Sequence, residues 1–155
     1  MTKLCMVTTL LLLLAVSPLL AEDPKVASVD EELKAMQGMW KVSTANVGGK
    51  EADFKKLGME KFRIAGTKLT LLSRGKVLMN VELSIDPSQS PKQMDWSDPK
   101  RGKYPLIYSL EGDTLQLCFP LTKTKLDAPL ERPMDFQNPG KPIVLLKAER
   151  QKEKK

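Results

Sequence analysis

The sequence predicts an all-β fold, a small antiparallel β-barrel preceded by one short helix. Three observations carry that expectation. Segments with a two-residue apolar period recur from Trp40 almost to the end of the chain, eight or nine in all. Turn-forming residues separate them at short intervals. No long amphipathic helix is present to cross between parallel strands, so antiparallel pairing is expected. A sandwich would satisfy the same pattern. Closure into a barrel is the more economical arrangement, because it removes the exposed edges of a small sheet.

The element before the first strand is the helix. In "SVDEELKAMQG", Ser28 is placed to cap it and Glu31, three residues on, to complete a capping box. Asp30, Glu31 and Glu32 fill the first turn, where the helix dipole favours negative charge. Val29, Leu33 and Met36 form one apolar stripe, and Gly38 is the expected stop.

The period then changes to two. Trp40, Val42 and Thr44 are predicted on one face of the first strand, with Lys41 and Ser43 on the other. "NVGGK" is a turn, and "EADFKKLG" a brief helical turn that would place Phe54 and Leu57 on the core. "KFRIA" and "KLTLLS" follow as strands around a Gly66 turn. In "KVLMNVELSID", Val77, Met79, Val81, Leu83 and Ile85 alternate onto one face. "PSQSP" breaks the chain before "KQMDWS", where Met94 and Trp96 share a face. "YPLIYSLEGDTLQLCF" reads as a hairpin with Leu115, Leu117 and Phe119 on one side and Cys118 on the other. Residues Pro120 to Pro142 hold five of the eleven prolines, so a strand there is expected only briefly, around "RPMDF". "PIVLLKAE" supplies the last strand.

The N-terminal "MTKLCMVTTLLLLLAVSPLLA" has the outline of a secretory signal: Lys3, an apolar run, then the small residue Ala21. The expected organisation is a signal peptide over residues 1–21, a linker over 22–27, the barrel over 28–148 and a charged disordered tail over 149–155. The competing reading, a retained anchor, meets a run that Pro18 interrupts and that is at the short limit for a bilayer. A secreted or periplasmic location follows, with no stable membrane anchor after cleavage. Cys5 would leave with the signal, so Cys118 has no partner for a disulfide and is expected as a small buried apolar residue. Of the net charge of +6, the basic end "KAERQKEKK" carries +3. The remaining charge is interspersed rather than gathered on a face with aromatics, which argues against a nucleic-acid partner.

"MQGMWKV" stands at the entry to the first strand. A helix, then Gly38-x-Trp40, then the first strand of an up-and-down barrel resembles the lipocalin-type (calycin) entry. In that family the tryptophan closes one end of the barrel beneath the cavity, and the resemblance implies that role for Gly38 and Trp40. A large indole on the inward face beside the helix agrees with it on physical grounds. The wider pattern, strongest at Gln37–Trp40 and at Tyr108–Cys118, resembles a family of small uncharacterised secreted domains abundant in planctomycete-type bacteria. The likeness spans residues 35–148 and implies a lipocalin-like barrel and an extracytoplasmic compartment. It implies no activity. Tyr104-Pro105 and the basic, leucine-rich stretch Leu121–Glu131 depart from the family pattern and would reshape one rim.

The chain contains no histidine, which excludes imidazole acid–base catalysis, His-based nucleophile activation and His-containing metal triads. A lone Cys118 supports neither a thiolate cluster nor a dithiol pair. "VGGK" lacks the spacing of a phosphate loop. Asp95 and Asp98 in "DWSDP" are too few oxygens for a calcium site, and Asp98 before Pro99 suits a turn. Met59, Met79, Met94 and Met134 have the spacing of core gap-fillers rather than of a thioether copper site. No catalytic, cofactor-binding or metal residue is therefore assigned, and the chain is expected not to be an enzyme. What remains is binding by a monomer. Either the barrel holds a small apolar or amphipathic ligand, with Met79, Val81, Leu83, Trp96, Tyr108 and Leu117 lining the cavity, or a filled barrel engages an envelope protein through its loops.

Overall fold

A computed structural model describes residues 27–121, 130–137 and 142–152. Helix α1 (Val29–Met36) begins as its sequence dictates: the Ser28 side chain accepts from the Glu31 amide, and the Glu31 carboxylate accepts from the Ser28 amide. The helix ends at Met36, and Gly38 takes φ of 120°, a conformation that a β-carbon disfavours. Met36 is fully buried and Leu33 half-buried, but Val29 stays 45% exposed, so the stripe is shorter than its spacing implies.

Strands β1 (Gly38–Val47), β3 (Lys61–Ala65), β4 (Lys68–Ser73), β5 (Lys76–Asp86), β6 (Lys92–Asp98), β7 (Gly102–Glu111), β8 (Thr114–Pro120) and β9 (Ile143–Arg150) form a meander in which each strand pairs antiparallel with the next. β9 then pairs with β1 and closes an eight-stranded barrel. The two-residue strand β2 (Lys50–Glu51) folds back on the end of β1 through the Gly48–Gly49 turn. The expected strand around "RPMDF" does not form; residues 130–137 lie as irregular chain. Pro133, within the stretch, has no amide to donate to a ladder. β9 also continues through Glu149 and Arg150, past the boundary expected for the tail. The predicted signal peptide lies outside the described residues.

Alternation fills the interior from all strands. Trp40, Phe62, Ile64, Leu69, Val81, Leu83, Met94, Leu106, Leu115, Leu117 and Leu146 belong to one buried cluster. At about 25 cal/mol per Å2 of apolar surface removed from water, this is the dominant favourable contribution in a fold whose described residues contain no disulfide.

Two β-bulges interrupt the alternation, and each overturns a predicted face. Between Val42 and Thr44 the register against β9 shifts, with Ser43 as the extra residue. Its hydroxyl donates to the Lys147 carbonyl at 3.1 Å, Thr44 turns to solvent, and Ala45 takes the buried position. In β5 the shift against Leu71/Leu72 makes Leu78 the extra residue. Met79, Val81, Leu83 and Ile85 keep the inward face, whereas Val77 is 58% exposed and not part of the core. The helical turn at Phe54–Gly58 places Phe54 against the core, but Leu57 points out.

Candidate functional site

The meander gives the barrel two ends of different construction. At one end lie α1, the start of β1, the β3–β4 turn and the end of β9. Trp40 is wholly buried there, and its indole N–H donates to the Met36 carbonyl at 2.9 Å. Its ring stacks on Phe62, with centroids 6.4 Å apart and planes 16° from parallel. The Arg150 guanidinium lies over the indole at 4.3 Å from the ring centre. The same guanidinium donates to the Gln37 and Ala35 carbonyls at the helix end and to the Asp113 carboxylate at 2.9 Å. The Gln37 side chain joins the helix to the β3–β4 turn, donating to the Leu33 and Gly66 carbonyls and accepting from the Gly66 amide at 2.7 Å. Helix, first strand and last strand are thus tied into one floor.

A polar group lies inside that floor. Lys92, on the same face of β6 as Met94 and Trp96, donates to the buried Glu32 carboxylate at 2.6 Å. Tyr108 is its cross-strand partner and is buried, and its hydroxyl makes no hydrogen bond. Burial first, then the charge and close approach of the Glu32 carboxylate, and after them the charge of Asp86, hold the Tyr108 phenol above its ordinary pKa.

The opposite end is less completely covered among the described residues. Above Trp96 and Phe119, whose rings meet at 5.2 Å, the inward positions are only half-buried: Val47, Phe54, Met59, Leu71, Met79, Tyr104 and Leu121. At the rim Leu78 and Val77 are 52% and 58% exposed. Beside it, where the end of β1 pairs with β2 rather than β3, a cleft of about 440 Å3 runs between Ser43, Thr44, Ala45 and Glu51–Phe54.

The outer wall carries a second apolar cluster. Ile107, Cys118 and Ile143 face outwards from β7, β8 and β9, and Phe136 and Leu145 pack on them. Arg132 anchors this covering segment: it donates to the Met94 carbonyl at 2.9 Å, to the Leu106 carbonyl and to the Asp95 carboxylate at 2.6 Å. Lys103 also pairs with Asp95 at 3.0 Å. Asp98 accepts instead from the Lys100 and Arg101 amides, the turn role its sequence suggests. Burial pushes the Cys118 thiol up to about 11, in keeping with an apolar rather than a reactive side chain. Among the described residues, no three acidic or cysteine side chains gather as a metal site.

Of the residues singled out in the sequence, Gly38 and Trp40 lie in the floor. Val81, Leu83, Trp96, Tyr108 and Leu117 are buried in the interior, and Met79 is half-buried at the open end. Sequence reasoning missed Arg150, although the period that places Ala148 inward continues to it. It also missed Lys92, whose parity with Met94 was the available signal. No family model matches the chain, and neither a curated protein nor a solved structure matches it. The class that fold and site define is a closed eight-stranded antiparallel β-barrel whose helix end is filled by a buried tryptophan.

Proposed function

We propose that this is an exported, non-enzymatic binding domain that takes a small apolar or amphipathic ligand at the open end of its barrel. One observation carries the reading: a sealed floor at the helix end faces a ring of half-buried apolar side chains, including Leu71, Met79 and Tyr104, at the other. A barrel of about eight strands is at the size where the interior is either filled or holds one small ligand. Here the filled part lies below Trp96 and Phe119, and the incompletely covered part lies above them. The resemblance to secreted lipocalin-like domains supports the compartment and the barrel; the ligand class rests on the apolar ring alone.

Native mass spectrometry of the protein purified gently from its own cells tests this. The expected result is a reproducible adduct that is lost on denaturation and weakened by Met79→Asp. A bare protein after incubation with a lipid and metabolite extract contradicts it. The second reading, a filled barrel that binds an envelope protein, draws on the tightly packed lower interior and would then take its place.

A further inference from the structure

We propose that the tip of the β4–β5 hairpin is a docking surface for an anionic phospholipid bilayer. The bulge in β5 leaves Val77 and Leu78, two consecutive apolar residues, 58% and 52% exposed at the barrel rim. Leu78 lies close over Gly58, where an added β-carbon would meet its Cδ1 at 2.9 Å, and the neighbouring Leu57 is 39% exposed. The three side chains therefore form one patch rather than scattered surface residues.

Cations surround it. Arg74 and Lys76 flank Gly75 at the hairpin turn, and Lys55 and Lys56 precede Leu57; all four are exposed. None of them forms an ion pair among the described residues. Two carboxylates lie beside them, Glu60 accepting from the Arg74 amide at 3.0 Å and Asp53 from the Lys55 amide at 3.0 Å, so the four cations outnumber the adjacent acids two to one and the patch stays net positive. Arg74 also holds φ of 49°, a left-handed conformation in which glycine or asparagine is the usual choice at a two-residue hairpin turn. A bulky cation is kept at a position that backbone preference would give to another residue. Exposed apolar side chains ringed by unpaired cations match the acyl boundary and the negative headgroups of an anionic membrane surface. Each cation near such a surface raises affinity roughly fivefold at moderate ionic strength. The inference needs no ligand in the barrel and stands apart from the carrier reading.

The test is co-sedimentation with vesicles of phosphatidylcholine alone and of phosphatidylcholine with phosphatidylglycerol. The protein is purified from its own cells and its N terminus read by mass spectrometry. Binding to the anionic vesicles is expected to exceed binding to the neutral ones at least tenfold and to fall steeply at high salt. Val77→Asp with Leu78→Asp is expected to reduce it at least tenfold without lowering the melting temperature. Arg74→Gln with Lys76→Gln, which leaves the apolar patch intact, is expected to reduce it roughly tenfold or more. Absence of anionic-vesicle binding overturns the proposal, as does binding that both paired variants leave unchanged.

Discussion

At the helix end of the barrel Trp40 is wholly buried against Phe62 and Arg150, with its N–H taken by the Met36 carbonyl. At the other end Met79 and Tyr104 are half-buried and Val77 and Leu78 face solvent. Both ends are rich in apolar side chains, so composition does not distinguish them. What differs is the presence of polar partners that lock the side chains in place. The floor has Arg150 on the Ala35 and Gln37 carbonyls, the Gln37 side chain on the β3–β4 turn and the Met36 carbonyl on the Trp40 N–H. The rim has two consecutive apolar residues and a set of cations without ion-pair partners among the described residues. A sealed end of this kind contributes stability, and an incompletely covered one leaves apolar surface available for binding.

The largest break in this comparison is Trp40→Ala, which removes the largest side chain of the floor and orphans its packing partners. It is expected to cost about 3–5 kcal/mol in chemical denaturation, whereas Met79→Ala at the open end costs about 1 kcal/mol, because less of its surface leaves water on folding. Arg150→Ala comes next. It leaves the Gln37 and Ala35 carbonyls without their partner and uncovers the indole, for an expected loss of about 2–3 kcal/mol. Arg150→Lys is expected to recover only part of this, since one ammonium does not reproduce the guanidinium fork or its stacking.

A third prediction concerns pH. Burial raises the folded-state pKa of Cys118 from 9.0 to about 11 and raises that of Tyr108 as well. Above pH 9 the unfolded chain loses these protons while the folded chain keeps them, so stability falls as pH rises from about 9 to 11. Denaturation at a series of alkaline pH values is expected to show this slope, and Cys118→Ala to make it shallower. The thiol should also resist alkylation at pH 8 until the protein unfolds.

The smallest effect expected is at the rim. Val77→Ser and Leu78→Ser should change stability by less than about 0.5 kcal/mol, as for exposed positions generally. A larger loss would show that the rim residues belong to the core after all.

The sequence displayed the parts of this architecture that depend on neighbours in the chain. The Ser28–Glu31 box, the switch to a two-residue period after Gly38 and the hairpin around Gly112 are all local, and counting such elements gives an antiparallel all-β fold, with the barrel preferred to a sandwich because closure removes exposed edges. The bulges were not legible. Ser43 and Leu78 are extra residues only relative to Lys147–Ala148 and Leu71–Leu72, and register between distant strands leaves no trace in one strand's alternation. The faces predicted for Thr44 and Val77 fail for that reason. Long-range polar partners were hidden too. Glu32 reads as an ordinary first-turn acid until Lys92 is brought to it, and Arg132 reads as a loop cation until Asp95 and two sheet carbonyls are found beneath it.

The contrast between the two ends can be measured through the two tryptophans of the chain, one near each. Their indole N–H resonances would be followed by NMR while the delipidated protein is titrated with a lipid and metabolite extract of its own cells. A ligand entering the open end moves the Trp96 signal, which lies beneath the half-buried ring, and leaves Trp40 in its hydrogen bond to Met36 unmoved. If neither signal moves, or if Trp40 moves as far as Trp96, the account of a sealed floor and a binding mouth is contradicted.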